Sequence, residues 1–266
     1  MHKKNFLFVI IISLIFFRIG LLHAKIDNIT IAIENNDFPP YTFGNKSKHK
    51  GKGVLINLLK SFENDIQVKF KFINVPWKRA LTLLGQNKID GVFNASFKTS
   101  RMKIGVYPFK NGKVDNSRGT HSSNYILYKR KNSYLEWNGV KFSNAKRKIA
   151  VERGFSIKTD LEKMGVRVRE VQSSKHGFVM IQKKRLDGMV TLEDMGDLTI
   201  EQNPFLKTDI EKESIPVKSK RYFLIFSHDL IKKNLSLANK IWDEINRANK
   251  SGKLKLFYKK WVNENK

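Results

Sequence analysis

The sequence predicts an α/β protein of two lobes, each with a parallel-rich sheet flanked by helices, joined by two crossover strands. Three observations predict it. Apolar residues switch between alternation and helical spacing in the order β-α-β-α-β, and the same order then returns. Both units end on a similar run, Lys88-Ile89-Asp90-Gly91-Val92 in the first and Arg185-Leu186-Asp187-Gly188-Met189 in the second. Two further strand-like stretches, at 125–129 and 222–226, stand outside both units as a crossing and a return.

In the first unit Ile29, Ile31 and Ile33 alternate as a strand, and Val54, Leu55, Leu58, Leu59 and Phe62 recur as one face of a helix. Val68, Phe70 and Phe72 alternate again. Pro76 suits a first helical position ahead of the stripe Trp77, Leu81 and Leu84, and 89–93 is a short buried strand. In the second unit 148–151 is a strand, and Ile157, Leu161 and Met164 form a helix stripe closed by Gly165. Val166 and Val168 open the next strand, Ser174 can cap the following helix, and 186–190 closes the unit as a strand. Near the C-terminus Ala238, Ile241, Trp242, Ile245 and Ala248 line one face of a helix ending at Ser251-Gly252. Leu254, Phe257, Tyr258 and Trp261 line a last short helix. Lobe 1 is then 25–126 plus 221–266, and lobe 2 is 127–220. Two crossings between lobes make a hinge, and the cleft at such a junction is the default ligand site.

At the N-terminus His2, Lys3 and Lys4 precede an almost wholly apolar run over 6–17, and Ala24 stands where a signal peptidase would cut. A run of twelve residues is too short for a membrane span, which needs about 20. Residues 1–24 are therefore expected to be a cleaved signal peptide, leaving a soluble chain in the periplasm. Without cysteine the chain has neither disulfides nor a lipidated N-terminal Cys. Lys3, Lys4 and Arg18 leave with the signal, so the charge falls from +27 by three, to +24. The basic residues come as separated triplets, Lys129-Arg130-Lys131, Lys146-Arg147-Lys148 and Lys183-Lys184-Arg185. None joins an aromatic stacking signature, a zinc-finger spacing or a basic zipper, which argues against nucleic acid as a partner. A positive field favouring anionic ligands or an anionic envelope surface stays open.

Several short motifs, in one order along the whole mature chain, carry a resemblance. They are Asp37-Phe38-Pro39-Pro40-Tyr41, Gly53 heading the first helix, Pro76-Trp77-Lys78-Arg79-Ala80-Leu81, and Asp90-Gly91 through Ser96 to Arg101 with Gly105-Val106-Tyr107-Pro108. Arg153-Gly154-Phe155-Ser156 and Ser251-Gly252-Lys253-Leu254 with Lys260-Trp261 complete the set. The chain resembles the bacterial extracellular solute-binding proteins of the polar amino acid type, family 3. The resemblance implies a small carboxylate-bearing ligand, amino acid or related anion, and an ABC permease of the inner membrane as partner to a monomeric binding protein.

Arg101 falls just beyond a parallel strand's C-terminal end, where open α/β sheets bind ligands, and its planar fork suits a carboxylate. The resemblance gives it that role. Ser96 and Asn94 can add a hydroxyl and an amide, though Asn94 suits a turn equally. Tyr41 and Phe38 would wall the ligand, with core packing the stronger reading for Phe38. Trp77 lies on an apolar stripe and reads as core before site. Ser156 either caps a helix or, with the exposed N–H groups there, favours an anion. The family's ammonium-binding aspartate, counted five residues after Asp187, is here Leu192. Glu193 can replace it through a shifted loop, or belong with Asp194 to an acidic first helical turn. These departures, and Lys98 as a second cation near Arg101, argue against an ordinary α-amino acid and leave room for a dicarboxylate or another anion.

No two histidines have a metal-ligand spacing, and no nucleophile elbow, P-loop or dinucleotide fingerprint occurs. The expectation is a binding protein with no cofactor and no catalytic residue. The alternatives are a dehydratase of the same fold, with Glu193 or Asp194 as general base, and a ligand sensor coupled to a membrane receptor.

Overall fold

The computed structural model describes residues 26–45 and 47–264; the expected signal peptide and its cleavage site lie outside them. Nine strands form one mixed sheet. They are β1 (Asn28–Glu34), β2 (Lys69–Val75), β3 (Gly91–Ser96), β4 (His121–Arg130), β5 (Ile149–Glu152), β6 (Val168–Val171), β7 (Gly188–Leu192), β8 (Ile210–Lys212) and β9 (Lys218–Phe226). Their order is β6-β5-β7-β4-β9-β3-β1-β2, with β8 paired to β4. The parallel triplet β2-β1-β3 belongs to lobe 1 and β6-β5-β7 to lobe 2. The crossing strands β4 and β9 run antiparallel between them and fuse the two sheets into one.

The main helices are α1 (Val54–Lys60), α2 (Trp77–Gly85), α3 (Ile157–Lys163), α4 (Ser174–Gln182), α5 (Glu193–Glu201), α6 (His228–Lys250) and α7 (Lys253–Glu264). In lobe 1 the β1 isoleucines pack with the buried faces of α1 and α6, while Ala32 on the other pleat faces α2 through Ala80 and Leu84. Lobe 2 repeats this: Ile149 and Val151 pack with α3, and Ala150 with Phe178 and Ile181 of α4. Among the described residues no helix is long and apolar enough to cross a membrane.

The two Asp-Gly runs do the same structural work. Gly91 pairs with Ile31 of β1, and Gly188 with Ile149 of β5. Asp90 accepts the Thr30 N–H at 2.7 Å and Asp187 accepts that of Arg147, each locking the neighbouring strand's edge. Both strands consequently begin at the glycine, two residues later than the apolar pattern suggests.

Four local readings change. Pro76 is the N-cap of α2 rather than its first residue. Ser173, not Ser174, caps α4 by accepting the His176 N–H at 3.3 Å; Ser174 is buried and bonds to Glu152. Met164 is 38% exposed and outside the core, because α3 has ended at Lys163 and Gly165 takes the left-handed turn. The basic triplets are separated only in sequence. Strands β4 and β7 are antiparallel while β7 and β5 are parallel, so all three triplets gather with Arg167 at the end of lobe 2 farthest from lobe 1.

Candidate functional site

The C-terminal ends of β1 and β3 face those of β5 and β7 across the junction of the lobes, where α/β sheets gather their functional groups. Arg101 sits on the short 3₁₀ turn Thr99–Lys103 that follows β3, and it is only 5% exposed. One guanidinium nitrogen donates to the Ser96 carbonyl at 2.8 Å and its hydroxyl at 3.3 Å. The other reaches across to the Gly154 carbonyl at 3.0 Å. The guanidinium carbon lies 5.3 Å over the Trp77 ring, whose indole N–H also donates to Gly154, at 3.3 Å. These partners are all neutral, so the buried cation is solvated by protein dipoles and a π face, without, among the described residues, the opposite charge that buried ions usually acquire.

Ser156 heads α3 but makes no capping bond. Its hydroxyl instead meets the Ser96 hydroxyl at 2.7 Å and accepts from Lys220 at 2.8 Å. Lys220, on β9, also pairs with Asp160 and stands 5.6 Å over the Tyr125 ring. Burial pulls the Lys220 pKa down, Asp160 opposes this, and Lys218 and Arg101 add to it. Two cations and two hydroxyls therefore converge where the lobes touch, an arrangement suited to an anion.

Asn94 is not in a turn. It occupies a β-bulge in β3, where pairing with β9 skips between Phe223 and Ile225, and it adopts φ 61°. Asparagine tolerates this left-handed backbone, and a bulge re-aims its side chain. The amide donates to the Thr42 hydroxyl at 3.1 Å, while its buried Oδ1 has no hydrogen-bond partner among the described residues.

These groups border a cavity of about 30 Å³. Glu34, Phe38, Trp77 and Asn94 line it from lobe 1, and Phe155, Leu192 and Met195 from lobe 2. Tyr125 and Tyr222 come from the crossing strands, their hydroxyls 3.1 Å apart. Such a volume holds about two waters, against roughly 300–1,000 Å³ for ordinary small-molecule sites. The lobes are thus closed on one another. A broad groove of about 1190 Å³ runs past Asp194 and Met195, and one of about 540 Å³ past Trp77 and Glu152.

Six of the eight residues singled out in the sequence, Arg101, Ser96, Asn94, Phe38, Trp77 and Ser156, line this cavity. Tyr41 and Glu193 do not. Tyr41 lies behind Phe38, ring centroids 5.1 Å apart, and stacks on His121 at 3.8 Å. His121 is sandwiched against Tyr222 at 5.0 Å, and burial holds its pKa at about 3 and the ring neutral. Glu193 turns outward to Lys212 at 3.1 Å and Asn124 at 3.4 Å, in the first turn of α5. Its neighbour Asp194 borders the broad groove; burial, then Glu193 and Asp197, push its pKa up to about 6. Leu192, in the aspartate's counted place, is an apolar wall. The sequence did not single out Glu34, Lys220, Tyr125 or Tyr222, because each sits in a stretch whose pattern announces only a strand.

Two lobes joined by two crossing strands, with polar groups gathered between them, define the type II periplasmic binding fold. The chain belongs to the bacterial extracellular solute-binding proteins, family 3, whose model matches residues 29–264. No curated protein matches the sequence. Among solved structures, it is similar to a histidine kinase sensor domain with similarity to periplasmic binding proteins (TM-score 0.71, 15% identity, 90% of this chain and 97% of that one). It is similar to the arginine-, lysine-, histidine-binding protein ArtJ from Geobacillus stearothermophilus (0.67, 16%, 88% and 94%). It is likewise similar to the GluR0 ligand-binding core from Nostoc punctiforme in complex with L-glutamate (0.63, 17%, 88% and 98%). The family is one of solute-binding proteins.

Proposed function

We propose that this chain is a periplasmic solute-binding protein that captures a small carboxylate-bearing ligand, an amino acid or a related anion, and delivers it to an ABC permease. The observation that carries this reading is Arg101, buried in the cleft wall with only neutral partners among the described residues, beside Ser96, Ser156 and Lys220. A carboxylate arriving there meets a guanidinium fork, two hydroxyls and a second cation. Neighbours that bind basic amino acids or glutamate support a ligand of this size and charge. Export through residues 1–24, with cleavage near Ala24, fits the family's extracellular character. We assign no catalytic residue and no cofactor. The likeness to a kinase sensor domain favours a second reading, in which the closed form signals to a receptor instead of feeding a permease.

A thermal-shift screen tests the ligand class. At about 100 times its dissociation constant a ligand adds roughly 2.7 kcal/mol of stability. Stabilisation is expected among carboxylate-bearing compounds; a response confined to neutral sugars would remove Arg101 from the argument.

The lobes proposed at 25–126 plus 221–266 and 127–220 should hinge where the crossing strands change partners. Strand β4 pairs with β9 as far as Tyr125 and with β7 from Tyr125 onward. A cavity of about 30 Å³ cannot admit an amino acid, so entry requires the lobes to part and then close on the ligand. Small-angle scattering should show the radius of gyration falling on saturation, with unaltered circular dichroism. An unchanged radius would count against the hinge.

A further inference from the structure

The internal repeat extends into the cleft. Strand β1 carries Ile31-Ala32-Ile33-Glu34 and strand β5 carries Ile149-Ala150-Val151-Glu152. Each is the middle strand of its lobe's parallel triplet, and each isoleucine pairs with the glycine of an Asp-Gly run. Glu34 and Glu152 are therefore equivalent positions, one from each lobe, both ending a central strand on the cleft side.

Both glutamates are buried, at 9% and 2% exposure, and both line the narrower groove; Glu34 also lines the cavity with Arg101. Glu34 Oε1 accepts the N–H groups of Asn35 at 2.8 Å and Asn36 at 3.2 Å. Glu152 Oε1 accepts from the hydroxyls of Ser174 and Thr191, the latter at 2.8 Å. Its Oε2 is buried with no hydrogen-bond partner among the described residues. Neither has an ion-pair partner there. Packing does not account for them, since an apolar residue of similar volume would fill either place at lower cost.

Resting on the reading of the cleft as a ligand site, we propose that Glu34 and Glu152 form a carboxylate clamp, one jaw per lobe, for a cationic group of the ligand. The carboxylate of the same molecule lies at Arg101. The ligand class is then a zwitterionic or basic amino acid, or a close amine-bearing relative, and not a dicarboxylate. The clamp replaces what Leu192 cannot supply, and it favours closure because a cation between the jaws draws the lobes together.

Without a cation, burial pushes the Glu34 pKa up to about 7, the backbone N–H groups of Asn36, Asn35 and Trp77 opposing and Glu152 adding to the rise. Burial raises Glu152 as well, against its bonds from Ser174 and Thr191. The other charges bordering the groove are Lys78 and Arg79 on α2 and Arg153 after β5, all exposed, and Arg101 in the cavity wall. Exposed charges are screened over a Debye length of about 8–10 Å, buried ones much less. A bound cation favours both carboxylates in ionised form, so binding expels protons and tightens as pH rises through about 7.

The test is calorimetry with arginine, lysine and glutamine against hexanoate and glutarate, on wild type, Glu34→Gln, Glu152→Gln, the double variant and Arg101→Ala. It is run near pH 6.5 in two buffers of different ionisation enthalpy. At least one amino acid should bind about tenfold or more above the cation-free acids, with proton release. The double variant should lose about that factor and the proton release while still binding hexanoate or glutarate. Gln is nearly isosteric and keeps one acceptor oxygen for the bonds that each Oε1 receives, so ligand-free melts should fall little. If the variants melt far lower, the carboxylates are structural and the clamp is overturned. Glutamine variants that bind amino acids like wild type, while Arg101→Ala does not, overturn the clamp and leave the carboxylate site standing. No binding by any of these compounds overturns the parent reading itself.

Discussion

Arg101→Ala is expected to lose about 2–5 kcal/mol of ligand binding, roughly 30- to several-thousand-fold in affinity. The substitution removes a charge-assisted pair and leaves the ligand carboxylate in a mostly dry cleft with Lys220 as its remaining cation. Arg101→Lys should rescue little, since an ammonium is a point charge without the fork. Folding should change little, because the guanidinium's three hydrogen bonds are offset by the cost of burying a cation that has no ion-pair partner among the described residues. All three acceptors keep another partner: the Ser96 carbonyl retains the Tyr107 hydroxyl at 2.8 Å, the Ser96 hydroxyl that of Ser156 at 2.7 Å, and the Gly154 carbonyl the Trp77 indole at 3.3 Å. Calorimetry with ligand and melts without it separate the two roles. Normal binding by Arg101→Ala removes the residue from the site, and a melt far below wild type makes it structural.

Much of the fold was legible because each lobe repeats one pattern. The alternation of Ile29, Ile31 and Ile33 reflects a strand with helices on both faces, and the Asp-Gly runs mark where its parallel neighbour joins. Arg101 was legible because the end of a parallel strand is also a fixed place in the sheet. Pairwise geometry was not. Whether Ser173 or Ser174 caps α4 depends on a one-residue shift in the helix start. Tyr41 falls behind Phe38 because the loop turns back, the Phe38 N–H reaching the Thr42 carbonyl at 2.9 Å. The basic triplets look scattered until strand direction brings them to one end. Glu34 and Glu152 were hidden for a similar reason: each ends an apolar run, and only the register shows them equivalent and the fold that both border one groove.

The division into lobes has its own sharp test in Trp242. This side chain on α6 is 2% exposed, 5.2 Å from Phe226 by ring centroids, and packed in the lobe 1 core with Ile31, Leu55 and Phe93. Its indole N–H donates to the Leu224 carbonyl at 2.9 Å. Leu224 lies opposite the bulge at Asn94, so the indole ties α6 to the irregular part of the β3–β9 pairing. Trp242→Ala should therefore cost about 3–5 kcal/mol, a large share of the roughly 5–15 kcal/mol that holds a typical protein folded. For a chain this size that is a fall of about 6–20 °C in Tm. The loss should be uneven. The C-terminal segment completes lobe 1, so hydrogen exchange should accelerate in β1 and β3 while β5 and β7 keep more of their protection. Equal loss of protection in all four strands would mean that the two lobes unfold as one unit, and the boundaries at 126–127 and 220–221 would carry no energetic meaning.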